Sequence, residues 1–194
     1  GYGLTLQQAN KAIKGLGVFS LEDGVISSKH IVHTPNGKII GEWGNRKWMP
    51  SGTKTKSKKS NIHIARQSLR LALLKQLGGH QTVQWGHQLL EYSETEDNSV
   101  ELTFEVKNEI KKVKADLLVG ADGIRSIVRK ILIGEEATPL RYLGCIVILG
   151  ICPLKKLKGL NNPLLDSATV FQTANGKERI YIMPYDSTSV MWQL

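Results

Sequence analysis

The chain has 194 residues, enough for one ordinary domain or two small lobes, and no run of about 18 apolar residues that would predict a membrane-spanning helix. Its 41% apolar and 22% charged residues are typical of globular proteins, which excludes a disordered or fibrous class. The net charge of +9 allows an anionic partner, but four of the lysines lie in the polar segment 53–60. We expect that segment to be a solvated loop. No aromatic residue lies between its lysines, so we predict no nucleic-acid surface there.

The first part of the chain alternates short strands with two amphipathic helices. Apolar spacing predicts, in chain order, a strand at 2–6, a helix at 7–16, strands at 25–32 and 39–43, and a short strand at 61–64 that continues into a helix ending near 77. In the second helix Leu69 and Leu73 belong to a stripe that repeats every four residues. We expect this stripe to be buried, with Arg66 and Arg70 exposed.

The second part of the chain becomes richer in strands. The pattern predicts extended segments at 83–92 and 100–106, a buried strand at 113–119, a short helix after 123, and strands at 144–151, 169–173, 179–183 and 189–193. This predicts a mixed fold of the α/β (α+β) class with two lobes, divided at residues 135 and 136. Strands between residues 25 and 50 are candidates to join the sheet of the second lobe.

A glycine-bounded turn, Gly120-Ala121-Asp122-Gly123, follows the apolar residues 117–119 and precedes a basic helix. Glycine permits a positive φ and a close approach of the backbone to a ligand. A carboxylate at such a turn is suited to accept hydrogen bonds from ribose hydroxyls, although a plain tight turn with Ser126 capping the helix explains the same residues. The motif alone does not decide between these interpretations.

Several segments, in the same order, resemble the flavin-dependent aromatic monooxygenases typified by p-hydroxybenzoate hydroxylase. DLLVGADGIRSIVR resembles the family's Asp-Gly motif, and IHIARQSLRLALLKQL its Arg-x-x-Leu-x-x-x-Leu helix. GYGLTLQQANKAIKGLGV resembles the strand and helix after the first nucleotide-binding unit, and YLGCIVILGI and IYIMPYDSTSVMWQL resemble strands of the substrate lobe. The resemblance implies a p-hydroxybenzoate hydroxylase-like fold, with a partial FAD-binding domain at 1–135 and a partial β-rich substrate domain at 136–194.

The resemblance also implies a cofactor, a reaction and a set of site residues. FAD would be bound with Arg66 at its phosphates or ribitol and with Asp122 and Gly123 beside it, while Ser126 and Arg129 support the turn. NADH or NADPH would reduce the flavin, and one oxygen atom of O2 would be inserted into a small organic substrate. No residue of the chain is predicted to be catalytic, because the cofactor carries the chemistry.

Two motifs of that family are not found in the sequence. No Gly-x-Gly-x-x-Gly is present, and no Gly-Asp segment follows residue 194. We therefore expect an internal fragment that does not bind FAD tightly by itself. A second reading keeps the fold and changes the reaction to that of a halogenase, epoxidase or reductase. A third is a non-enzymatic basic binding module.

The remaining chemistry-bearing residues predict no further site. Cys145 and Cys152 share one apolar run and have no partners at metal-ligand spacing, so we expect buried thiols in a reducing compartment, hence the cytoplasm. His30 and His33 lie in a predicted strand, where their spacing places them on opposite faces, so no metal site is predicted.

Overall fold

The computed structural model describes residues 2–7, 9–44, 61–79, 83–160, 162 and 164–194; the lysine-rich segment 53–60 lies outside them. The described helices are α1 (Ala9–Gly15), α2 (Arg66–Gln76), α3 (Ile127–Ile133) and a 3-10 helix at Leu154–Leu160. The strands are β1 (Gly3–Leu6), β2 (Val25–Ser27), β3 (Lys29–His33), β4 (Ile39–Gly44), β5 (Asn61–Ala65), β6 (His87–Glu94), β7 (Val100–Val106), β8 (Glu109–Ala115), β9 (Leu149–Pro153), β10 (Thr169–Ala174), β11 (Arg179–Asp186) and β12 (Ser189–Gln193).

The chain divides into two compact units. The first contains residues 1–80 together with 146–194, and the second contains residues 81–145. The assignment of an FAD-binding and a substrate domain on either side of residue 135 remains a prediction, since the division concerns compactness and not function. The mixture of helices and largely antiparallel sheets agrees with the predicted α/β (α+β) class.

A small sheet with the strand order β1-β5-β2 forms one part of the first unit. Its central strand β5 is antiparallel to both neighbours. Helices α1 and α2 supply apolar side chains to one face, where Leu6, Ile13, Val18 and Ile64 are buried. Leu69 and Leu73 pack against this core and are half-buried, while the adjacent Leu74 is fully buried, so the stripe lies about one position further round the helix than predicted.

The larger sheet of the first unit has the strand order β4-β3-β10-β11-β12-β9. Strands β3 and β4 therefore join the sheet of the last fifty residues, through a parallel pairing of β3 with β10. Val170, Met183 and Met191 form its buried cluster. Strand β11 contacts β5 and β2, which places the small sheet against the larger one within this unit.

The second unit contains the antiparallel meander β6-β7-β8, followed by the glycine-bounded turn and α3. The β6–β7 turn is held by the Asp97 side chain, which accepts hydrogen bonds from Thr95, Ser99 and Lys114. The Lys114 bond is the largest of the causes that lower the pKa of Asp97. Strand β7 is half-buried, and β8 is mostly exposed.

Three expectations from the sequence are wrong. Residues 117–119 do not continue the strand predicted at 113–119, since β8 ends at Ala115; Leu117 and Val119 are 76% and 74% exposed. The strand predicted at 25–32 is two strands in different sheets, interrupted at Ser28, whose N–H donates to Ala168. Cys145 is exposed rather than buried, since β9 begins only at Leu149.

Among the described residues, no helix is long and apolar enough to span a membrane.

Candidate functional site

Arg66 is the first residue of α2, directly after the buried strand β5. Its backbone N–H donates to the carbonyl of Tyr2 at 3.0 Å, and its Nη1 donates to the Tyr2 hydroxyl at 3.1 Å. The guanidinium carbon lies 5.4 Å from the centre of the Tyr2 ring. The side chain is exposed, and no carboxylate of the described residues forms an ion pair with it.

The opening of α2 is electropositive. Its N-cap residue, Ala65, provides no side-chain hydrogen bond, and the first turn contains no acidic residue. The first N–H groups of a helix lack intrahelical partners and mark the positive end of its dipole. An exposed guanidinium at such an end has the donors and the charge that a phosphate requires, so the residues present fit the predicted cofactor contact.

The carboxylate of Asp122 is occupied by its own helix. Ser126 Oγ donates to Oδ1 at 2.5 Å, and the backbone N–H groups of Ile127 and Val128 donate to Oδ2 at 2.7 and 3.4 Å. The bond from Ser126 is the largest cause of an Asp122 pKa below its usual range. Asp122 is exposed, so these local bonds leave part of the carboxylate open to solvent.

Ser126 and Arg129 complete the local network, as the resemblance predicted for them. Ser126 is the N-cap residue of α3, and its Oγ accepts from the Arg129 N–H at 2.9 Å. The Arg129 guanidinium donates to the carbonyls of Gly123 and Ile124. The turn is therefore held by bonds within residues 122–129.

The two glycines of the turn are required for different reasons. A Cβ at Gly120 would lie 2.8 Å from Cβ and Cγ1 of Val128, so the turn and α3 pack too closely there for a side chain. Gly123 has φ of +82°, which favours glycine, and a Cβ there would meet nothing within 4 Å. Space beside Gly123 is thus open to a ligand, whereas Gly120 has a packing role.

A third polar cluster surrounds His63 of β5 in the first unit and was not predicted from the sequence. His63 is 0% exposed, and its Nδ1 lies 3.0 Å from Thr5 Oγ1. Its Nε2 has no hydrogen-bond partner among the described residues. Burial, which is the largest cause, and the nearby His30 together lower the pKa of His63 to about 4. His63 is therefore a neutral core histidine at physiological pH.

The predicted site residues fall in both units. Arg66 belongs to the first unit, and Asp122 and Gly123 belong to the second. Tyr2, which holds Arg66, lies 64 residues away in the sequence and was not predicted as part of the site.

The comparison with protein families decides the assignment. A family model described as an FAD binding domain matches residues 37–192, which is most of the chain. The chain belongs to the FAD binding domain family. FAD is the cofactor of this family, as the resemblance in the sequence implied. No curated protein sequence matches the chain.

Solved structures show the same fold as this FAD binding domain chain. HpxO of Klebsiella pneumoniae, complexed with FAD and uric acid, has 16% sequence identity and a TM-score of 0.73; the alignment covers 100% of this chain and 47% of that one. A salicylate hydroxylase substrate complex has 16% identity and a TM-score of 0.69, with 99% and 47% covered. The tetracycline destructase Tet(55) has 20% identity and a TM-score of 0.62, with 100% and 45% covered.

The chain spans less than half of the length of these three structures. At these identities the structural similarity shows the fold alone. It confirms the predicted fold, which is that of p-hydroxybenzoate hydroxylase-like enzymes.

Proposed function

We propose that this chain is part of a flavoprotein monooxygenase that uses FAD and NADH or NADPH to insert one oxygen atom of O2 into a small organic substrate. The observation that carries the proposal is the family match over residues 37–192. The folds of HpxO and salicylate hydroxylase support it, because HpxO was solved with FAD and uric acid and the salicylate hydroxylase with a substrate.

In this proposal Arg66 binds the phosphates or the ribitol of FAD. Its support is an exposed guanidinium without an acidic partner among the described residues, at the positive end of an eleven-residue helix. Asp122 and Gly123 lie beside the cofactor. Their support is the open space at Gly123 and the exposed edge of the Asp122 carboxylate, which also accepts from the first N–H groups of α3.

FAD supplies electron transfer to O2 when it is bound, and the chain's own residues bind, orient and neutralise charge. An ordered guanidinium at a phosphate offsets negative charge without moving a proton, because arginine stays protonated. No side chain described here is assigned a proton transfer. We place the protein in the cytoplasm, where its two free cysteines would remain reduced.

The experiment is carried out on the intact protein that contains this chain. Oxidation of NADH and NADPH is followed in air with FAD added and with a panel of aromatic acids and phenols as substrates. Under 18O2, the proposal predicts a product that gains one 18O atom. NAD(P)H oxidation with halide incorporation, or reduction of substrate without oxygen, would instead assign a halogenase or a reductase.

A non-enzymatic basic module gives a different result in the same preparation. It would hold no flavin, and it would bind polyanions with an affinity that falls steeply with salt. Stoichiometric FAD in the intact protein contradicts this reading.

A further inference from the structure

The guanidinium of Arg66 has two contacts with one residue, Tyr2. Nη1 donates to the Tyr2 hydroxyl at 3.1 Å, and the guanidinium carbon lies 5.4 Å from the ring centre. An aromatic face within about 6 Å of a guanidinium attracts it electrostatically. Tyr2 therefore holds both the position and the orientation of the cationic group.

The backbone at the same place is also fixed. The Arg66 N–H donates to the Tyr2 carbonyl at 3.0 Å, next to the paired residues Gly3 and Ala65 of β1 and β5. The first residue of α2 is thus attached to the strand that carries Tyr2. Any shift of Tyr2 relative to Arg66 would have to break this sheet register.

The contact leaves most of the guanidinium available. An arginine has five N–H donors, and the Tyr2 hydroxyl takes one of them. A free arginine side chain loses rotamer freedom when a ligand orders it, and this loss reduces affinity. Because Tyr2 already orders the side chain, that loss is smaller when an anion arrives.

We infer that Tyr2 is a positioning residue that pre-orders Arg66 for the phosphates of FAD. The inference rests on the proposed function, in which Arg66 contacts the cofactor, and it deepens it in two ways. It selects the phosphates over the ribitol as the group that Arg66 binds. It also adds a residue to the site that acts through Arg66 and not on the cofactor directly.

The test is a calorimetric titration of the intact protein that contains this chain, after removal of bound flavin, with FAD, ADP and riboflavin. The proteins are the wild type, Tyr2→Phe, Tyr2→Leu, Arg66→Ala and the double variant Tyr2→Leu/Arg66→Ala. ADP carries the phosphates without the flavin, and riboflavin carries the flavin and ribitol without phosphate. A merely structural effect of Tyr2 would change all three affinities together.

We expect Tyr2→Leu to weaken FAD and ADP binding by roughly threefold to tenfold, in line with a lost cation–π contact and hydrogen bond, and to leave riboflavin unchanged. Tyr2→Phe keeps the ring and should retain most of the affinity. In the Arg66→Ala background Tyr2→Leu should have no further effect, because Tyr2 acts through Arg66.

The outcomes separate the inference from the proposed function. If Arg66→Ala leaves FAD and ADP binding unchanged, the proposed contact of Arg66 fails. If Arg66→Ala weakens both while Tyr2→Leu does not, or if the two effects simply add, the contact stands and the role of Tyr2 is overturned. Absence of any measurable FAD binding by the intact wild-type protein contradicts both.

A second measurement on the free chain keeps the role of Tyr2 testable without a ligand. The NMR signals of the Arg66 side chain should be shifted by the Tyr2 ring, and Tyr2→Leu should return them to the values of a solvated arginine. Unshifted Arg66 signals in the wild type would overturn the inference.

Discussion

The β5–α2 junction and residues 120–133, which contain the glycine-bounded turn and α3, are the two segments that resemble motifs of flavin-dependent monooxygenases, but they are stabilised in opposite ways. The junction is packed: Ile64 is 1% exposed, and Arg66 is held by a residue 64 positions away. The turn is local: Asp122, Ser126 and Arg129 bond to one another or to adjacent backbone. A polar motif residue with its own local partners can be structural, whereas a cation held without an acidic partner is better placed to receive a ligand.

The largest expected effect is a difference in the free energy of unfolding between a substitution at the β5–α2 junction and one next to the turn. Ile64→Ala removes a fully buried side chain from the core and should lower the free energy of unfolding by about 3 kcal/mol. Leu117→Ala, at a position that is 76% exposed, should change it by less than about 0.5 kcal/mol. Urea denaturation of both variants measures this, and equal effects would show that residues 117–119 are packed after all.

The buried side chain of His63 in β5 should make the free energy of unfolding depend on pH. The unfolded chain protonates His63 near pH 6.5, but the folded chain does so only near pH 4, so stability is lost as pH falls from about 6.5 to about 4. The loss should reach about 3 kcal/mol, since each unit of pKa difference corresponds to about 1.4 kcal/mol.

Urea denaturation at several pH values tests this in the wild type and in His63→Leu. The variant should lose most of the pH dependence in that window. His30 is a half-buried histidine whose pKa is also lowered by burial. His30→Gln should therefore remove a smaller part of the pH dependence of stability. A pH dependence unaffected by His63→Leu would place its origin elsewhere.

Asp122 provides the sharpest comparison between a cap and a cofactor contact. Asn can keep the local bonds of Asp122, because its side-chain oxygen accepts from the N–H groups of Ile127 and Val128 while its NH2 group donates to Ser126 Oγ. In the intact protein Asp122→Asn should therefore preserve the melting temperature while weakening FAD binding by roughly tenfold or more and slowing flavin reduction, as expected for a lost charged acceptor. Asp122→Ala should impair the same two properties and also lower the melting temperature. If only Asp122→Ala has an effect, and only on melting, Asp122 is a cap and nothing more.

The smallest effect concerns the cap itself. Ser126→Ala removes the acceptor for the Arg129 N–H and the donor to Asp122. It should lower the free energy of unfolding by about 1 kcal/mol. Hydrogen exchange should show the loss in α3 and not in α2. Ser20→Ala, at an exposed loop position, is the matched control and should be neutral within about 0.5 kcal/mol.

Periodicity in the sequence was sufficient for most elements of the fold. The alternation in Val100–Val106 and the helical spacing after Arg66 correspond to β7 and α2. The Asp-Gly and Arg-x-x-Leu segments were enough to name the family. Local pattern is informative in these cases because each element buries one face.

The sequence predictions fail where the structure depends on contacts between residues that are far apart in the sequence. Nothing near Ser28 indicates that β2 and β3 join different sheets, since the break depends on the bond to Ala168. The apolar residues 117–119 have the composition of a buried strand, but β8 ends at Ala115 and leaves Leu117 and Val119 exposed. The contact between Tyr2 and Arg66 has no signal in the sequence, because the two residues are 64 positions apart.

The most direct test of the account is the structure of the intact protein with FAD bound. We predict that a guanidinium nitrogen of Arg66 lies about 3 Å from a phosphate oxygen of FAD, with Tyr2 still against the guanidinium. An FAD-loaded structure in which Arg66 contacts no cofactor atom, or an intact protein that binds no FAD, would contradict it.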